Sequence, residues 1–160
     1  MLTIRPVTET DYTAILRWNA GKDEAYLFQW AGFTAYQHPL TAEQIANQAK
    51  KDDVTIFMIL KNNTPIGTAE LCDIDTTAKT GRICRVLFAE EARGKGYGEK
   101  ALQALCRIAF TEMGLVSLSL RVYCFNIGAI RCYEKVGFRV AAYFEEKDPR
   151  WNNYSMEYKR

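Results

Sequence analysis

The sequence predicts a single mixed α/β domain in which a largely antiparallel sheet is flanked by helices. Three observations carry that expectation. Between residues 54 and 88 the apolar segments "VTIFMILK", "IGTAELCDID" and "RICRVLF" are separated only by short turn sequences, as in an antiparallel meander. From Leu102 the apolar period changes: Leu102, Leu105, Cys106, Ala109, Phe110 and Met113 fall on one helical face. No repeat, linker or low-complexity stretch interrupts the 160 residues, a length that can bury one core, so residues 1–160 read as one domain.

The elements follow in order. "LTIRPV" is a short strand, and "TETDYTAILRW" is a helix capped by Thr8 or Thr10 with Gly21 beyond its end. Residues 22 to 40 are expected to be irregular and rich in aromatics. "TAEQIANQAKK" opens with Thr41 and places Gln44 three residues later, the spacing of a capping box. After the meander and the Leu102 helix, Gly114 ends the helix and "VSLSLRVYC" (116 to 124) forms a strand. "NIGAIRCYEKVG" is a short helix between Asn126 and Gly137, and "FRVAAYF" with "NNYSMEY" closes the chain as a hairpin that offers an edge for a homodimer.

Composition excludes several classes of partner. Lys and Arg total 21 against 19 Asp and Glu, a net charge of +2, so no global field favours nucleic acid or an anionic membrane. The opening "MLTIRPVTETD" lacks the basic and apolar runs of a signal peptide, which implies a cytoplasmic protein. Five cysteines form no C-x-x-C pair, and with the single His38 they make no metal site; they are expected to be reduced. His38 precedes a proline in "AYQHPL", in an expected loop, which argues against a Ser-His or Cys-His pair.

The stretch "RGKGYG" (Arg93 to Gly98) carries the chemistry. It alternates three glycines with Arg93, Lys95 and Tyr97 immediately before the Leu102 helix. Backbone N–H groups at a helix N-terminus lack intrahelical partners, and the helix dipole favours an anion there. Gly94, Gly96 and Gly98 permit close approach, so the loop suits a phosphate or pyrophosphate. Neither the P-loop pattern nor G-x-G-x-x-G is present, which weakens a mononucleotide or dinucleotide reading without removing it.

Together, "RVLFAEEARGKGYGEKAL" and "NIGAIRCYEKVGF" resemble the GNAT superfamily of N-acetyltransferases. The first carries the family's [R/Q]-x-x-G-x-[G/A] loop at Arg93, Gly96 and Gly98. The second carries its N-x-x-A-x-x-x-Y-x-K-x-G-F segment at Asn126, Ala129, Tyr133, Lys135, Gly137 and Phe138. The resemblance covers about residues 54 to 158, and the first 50 more loosely. It implies the GNAT (acyl-CoA N-acyltransferase) fold and acetyl-CoA as co-substrate, its pyrophosphate on the amides of residues 93 to 98. It also implies two splayed parallel strands, here 82 to 88 and 116 to 124. Pantetheine and thioester would then pair with Val86, Leu87 and Phe88, and Asn126 and Ala129 would meet the cofactor.

Acetyl transfer to an amine requires a neutral amine, a polarised carbonyl and a proton for the departing thiolate. Tyr133 is the candidate acid: a phenol of pKa ~10 is protonated at neutral pH, and a CoA thiolate resembles a cysteine thiolate at ~8.5. A core aromatic role is its alternative. Glu70 is the candidate base, although a symmetric hairpin would set Glu70 opposite Arg85 and Asp73 opposite Arg82 as ion pairs. The position at which some relatives carry a glutamate base is Arg82 here. Water could carry the proton instead, which suits an amine of low pKa.

Acceptor recognition is expected from residues 20 to 40, with Asp23 and Glu24 facing a cation and Tyr26, Phe28, Trp30, Phe33 and Tyr36 as walls. The length is similar to that of relatives acting on ribosomal-protein N-termini, polyamines and small amines, so a peptide or small-molecule amine is the implied acceptor. A non-catalytic acyl-CoA-binding module is the alternative function.

Overall fold

Residues 1–160 are described by a computed structural model. Its strands are β1 (Leu2–Pro6), β2 (Thr55–Lys61), β3 (Thr64–Asp75), β4 (Thr80–Phe88), β5 (Ser117–Tyr123), β6 (Arg139–Phe144) and β7 (Asn153–Lys159). They form one sheet in the order β1-β2-β3-β4-β5-β7-β6. Every neighbouring pair is antiparallel except β4 and β5. The meander β2-β3-β4 and the closing hairpin β6-β7 follow the apolar segments of the sequence. Inserting β7 beside β5 leaves β6 as an edge, with Val140, Tyr143 and Phe144 exposed.

The parallel pairing of β4 and β5 runs only from Thr80↔Ser117 to Ile83↔Leu120. The cause lies in the β3-β4 ladder. Between the pairs Glu70↔Cys84 and Thr68↔Leu87, Arg85 and Val86 oppose the single residue Ala69. Arg85 takes up the extra length with a left-handed backbone, φ 53°, uncommon for a residue with a side chain. This bulge bends β4 away, and the strands splay beyond Leu120.

Five helices cover the sheet: α1 (Tyr12–Asn19), α2 (Glu24–Ala31), α3 (Ala42–Ala49), α4 (Tyr97–Arg107) and α5 (Ile127–Val136). Thr41 caps α3 by accepting from the Gln44 N–H at 3.3 Å, as its spacing predicts. The reciprocal half of the box is absent, because Gln44 Oε1 accepts from the Gln37 N–H at 2.7 Å. Helix α4 runs on into a π turn at Ile108–Glu112, and its apolar face buries Leu102, Leu105, Cys106, Ala109 and Phe110. The sheet meets these helices in a core that includes the fully buried Met58, Leu118, Phe138 and Met156.

Two expectations are corrected. Residues 22 to 40 are not all irregular, since they contain α2, capped by Asp23, which accepts from the Tyr26 N–H at 2.9 Å, and closed at Gly32. Nor are all five cysteines reduced: Cys72 on β3 and Cys84 on β4 form a disulfide, their Cα atoms 6.6 Å apart. Strand register joins them, because Cys72 stands opposite Arg82 and Cys84 opposite Glu70, making the cysteines diagonal neighbours. No helix is long and apolar enough to cross a membrane.

Candidate active site

The glycine stretch follows β4 through a short turn at Glu90–Ala92. Gly94 and Gly96 have φ of 72° and 79°, a region that favours glycine, and Gly96 is the N-cap of α4. Gly98, expected in the loop, therefore lies in the first helical turn. The first-turn amides of α4 have no helical acceptor, so the loop and helix together present N–H donors toward an anion. Arg93 fastens the loop: its Nε and Nη2 donate to the Phe88 carbonyl at 3.1 and 3.0 Å, and Nη2 donates to Tyr26 Oη at 2.7 Å.

Beside the loop, the splay opens into a cleft of about 460 Å³. Val86, Leu87, Phe88, Arg93, Gly94, Gly96, Tyr97, Gly98, Asn126 and Ala129 line it. Lys95, placed with them on sequence grounds, is exposed and outside the lining. Asn126 caps α5, its Oδ1 accepting from the Ala129 N–H at 3.2 Å, which turns the first turn of α5 toward the cleft.

A second cleft of about 560 Å³ lies on the other side of the splay, between β4, β5 and the segment after α2. Both clefts are lined by Gln29, Trp30, Val86, Asn126 and Tyr133, so they meet at these residues. Tyr133 is on α5, four residues beyond Ala129, and is almost fully buried. Its ring packs edge-on against Phe138 at 6.1 Å. Burial first, and Cys132 second, push its phenol above the ordinary value of 10.0. Cys132, which also lines the first cleft, has its thiol pushed up by burial.

Glu70 lines neither cleft and is 2% exposed. Its Oε1 accepts from Gln48 Nε2 at 2.9 Å and from Arg85 Nη1 at 3.3 Å, and its Oε2 accepts from Tyr36 Oη at 3.2 Å. Burial pushes the carboxyl above the ordinary carboxylate range, against the pull of Arg85 and of the Gln48 and Tyr36 donors. Asp73 pairs with Arg82 at 2.8 Å. Both cross-strand ion pairs therefore form, although bulges rather than a symmetric register bring them together.

Of the expected acceptor residues, Tyr26 and Trp30 line the first cleft, and Trp30 and Phe33 the second. Asp23 is spent on capping α2 and Tyr36 on Glu70, while Glu24 and Phe28 line neither cleft. Sequence reasoning missed Gln29, Arg85, Arg121, Tyr123 and Trp151, all lining the second cleft. Only the D-x-x-Y cap and Gly32 around α2 could have signalled Gln29.

A bulged strand splayed from its parallel neighbour, with an anion-accepting loop at the head of the next helix, defines an α/β acyl-CoA transferase fold. The model of the Acetyltransferase (GNAT) family matches residues 20–138, and the chain belongs to that family. The SPbeta prophage-derived uncharacterized N-acetyltransferase YokL of Bacillus subtilis (strain 168) is 30% identical over 96 residues, 60% of this chain and 54% of that protein. The chain thus matches about half the length of that relative. An aminoglycoside N(6')-acetyltransferase type 1 of Klebsiella pneumoniae is 25% identical over 150 residues, 86% of this chain and 73% of that protein. Among solved structures, the spermidine N-acetyltransferase from Vibrio cholerae in complex with CoA and spermine has a TM-score of 0.82 at 19% identity, covering 99% of this chain and 95% of that one. That likeness shows the fold.

Proposed function

We propose that this chain is an acetyl-CoA-dependent N-acetyltransferase that moves the acetyl group to a primary amine by direct attack in a ternary complex. The observation that carries this reading is the meeting of two clefts at Val86, Asn126 and Tyr133. Acetyl-CoA enters the first, with its pyrophosphate on the amides of the 93–98 loop. Its thioester lies along Val86, Leu87 and Phe88, on the edge of β4 that no longer pairs with β5 beyond Ile83. The amine enters the second cleft. Its nitrogen attacks the thioester carbon, the C–N bond forms as the C–S bond breaks, and CoA leaves as a thiolate. Tyr133 donates to that sulfur, the amine proton leaves to water, and a proton taken back from water restores the Tyr133 phenol.

The raised phenol gives Tyr133 a defined role. Transfer from a phenol of pKa ≥10 to a thiolate of ~8.5 is uphill by at least ~2 kcal/mol, so the proton stays on Tyr133 until the C–S bond is largely broken. Direct attack is favoured over an acetyl-enzyme because Cys132, the thiol in the first cleft, is held protonated by burial and is a poor nucleophile. Glu70, enclosed by three donors, holds Arg85 in place and serves as a positioning residue. An aminoglycoside N(6')-acetyltransferase among the relatives and a spermidine N-acetyltransferase among the structural neighbours support an amine acceptor for this chain. The exposed β6 edge supports a homodimer, and a Vibrio cholerae relative is described as dodecameric.

Thiol release from acetyl-CoA with a panel of amines, for the chain and for Tyr133→Phe, tests the reading. Turnover that falls ~10²–10⁴-fold in the variant, with CoA affinity kept, supports it. Tight CoA binding without thiol release toward any amine would return the chain to a non-catalytic acyl-CoA-binding module.

A further inference from the structure

Two guanidinium groups stand where β4 and β5 part, and acetyl transfer as derived above makes no use of them. The last parallel pair is Ile83↔Leu120; Arg121 follows one residue later on β5 and Arg85 two residues later on β4. Both line the second cleft. The Arg85 side chain is only 8% exposed. It donates through Nη1 to Glu70 at 3.3 Å and to Cys84 Sγ at 3.1 Å, while Nη2 reaches Thr34 Oγ1 only at 3.5 Å and Nε has no partner. A guanidinium has five donors, and buried donors are ordinarily satisfied, so Arg85 retains capacity that the protein leaves unused. Its left-handed φ of 53° is itself uncommon for arginine and marks a backbone constrained by its surroundings.

Arg85 is paired with Glu70, whereas Arg121 has no carboxylate partner. Its Nη1 donates to Asn153 Oδ1 at 2.9 Å and its guanidinium stacks 3.8 Å from the Phe144 ring, but no carboxylate of the chain pairs with it. The acids at the rim are partly engaged: Asp148 pairs with Arg150 at 3.0 Å, and Glu146 Oε1 accepts from Asn153 Nδ2 at 3.2 Å. Opposite lies an aromatic wall in which Trp151 stands 5.9 Å from Phe33 and 5.0 Å from Tyr123.

We propose that the acceptor is an amine that carries a carboxylate within one or two carbons of the reacting nitrogen, with the carboxylate held by Arg85 and Arg121 and an apolar body against Phe33, Tyr123 and Trp151. The proposal rests on the acetyltransferase reading. The spacing supports it: Arg85 adjoins Val86, where the thioester begins, and one residue of strand advances only ~3.3 Å. An α-amino acid or a close analogue has that geometry, and its amine has a lower pKa than a lysine side chain, so less free energy is needed to present it neutral. A polycation, by contrast, would bring like charge against Arg121, with which no carboxylate of the chain pairs.

The test measures thiol release from acetyl-CoA with α-amino acids, their amides, their decarboxylated amines, spermidine and an aminoglycoside. The expected result is a kcat/KM for carboxylate-bearing acceptors about 10- to 100-fold above their amides and decarboxylated forms, the range of charge-assisted hydrogen bonds. Arg121→Gln, a change at an exposed side chain, is expected to collapse that ratio to within about threefold while acetyl-CoA still raises the melting temperature. Preference for amides, decarboxylated amines or polycations overturns the carboxylate proposal and leaves the acetyltransferase reading standing. No thiol release with any acceptor overturns both.

Discussion

Replacing Tyr133 by phenylalanine removes one oxygen and little else. No hydrogen bond within the protein engages the hydroxyl of Tyr133, a residue that lines both clefts. The ring keeps its packing against Phe138 at 6.1 Å. Stability is therefore expected to change by no more than ~0.5 kcal/mol. Under the proposed mechanism activity loses the proton donor to the leaving sulfur, worth ~10²–10⁴ in rate, or ~2.7–5.4 kcal/mol of barrier. The assay is thiol release under saturating acetyl-CoA, accompanied by CoA titration calorimetry and a melting curve. Because burial raises this phenol above 10.0, it remains protonated through the working range, so kcat in the parent chain is expected to show no descending limb below pH ~10. A Tyr133→Phe rate within about threefold of the parent, at equal CoA affinity, would refute the assignment.

Further outcomes follow from the loop and from a buried carboxylate. A Cβ at Gly96 meets nothing within 4 Å, but its φ of 79° would strain any L-residue by ~1–2 kcal/mol. Gly96→Val is thus expected to lower the melting temperature of the free chain by about 2–8 °C and to abolish the further rise that acetyl-CoA produces. Arg93→Ala frees the loop from the Phe88 carbonyl and Tyr26 and is expected to weaken acetyl-CoA binding about tenfold by calorimetry, with the fold retained. Asp11 is 5% exposed and accepts from Arg5 at 2.7 and 3.0 Å, and Arg5, the largest cause, holds its carboxyl below the ordinary 3.8. A depressed folded pKa stabilises above the unfolded value and is lost as pH falls through the folded one. The melting-temperature gap between the parent and Asp11→Asn should therefore be constant from pH 5 to 8 and shrink below pH ~4.

What the sequence disclosed of the site is what local chemistry controls. Glycines at left-handed positions, an asparagine cap and a helical apolar face each depend on neighbours within a few residues, so the loop, α4 and α5 were legible together with most of their lining residues. Helix α2 was hidden because it is apolar on more than one side. Leu27 and Ala31 enter the core while Tyr26 and Trp30 line the clefts, and no single stripe stands out. The arginine pair and the Cys72–Cys84 disulfide depend on register. A bulge at Asp73 and Ile74 sets the pairing of Cys72 and Cys84, a second at Arg85 shifts every later pairing of β4, and period-2 alternation carries no trace of where either extra residue falls. Glu70 shows the same limit: its residue type suggested a base, and only the packing of α3 and the Tyr36 segment over β3 revealed a carboxylate enclosed by Gln48, Tyr36 and Arg85.

The central claim is that two clefts meeting at Val86, Asn126 and Tyr133 hold both substrates at once. Initial rates measured against acetyl-CoA at several fixed amine concentrations test this directly. A ternary complex predicts double-reciprocal lines that intersect, with no acetylated protein detected by intact mass after incubation with acetyl-CoA alone. Parallel lines accompanied by a stoichiometric acetyl-enzyme would contradict the account, since they would mean that the acetyl group is carried on the protein between the two clefts.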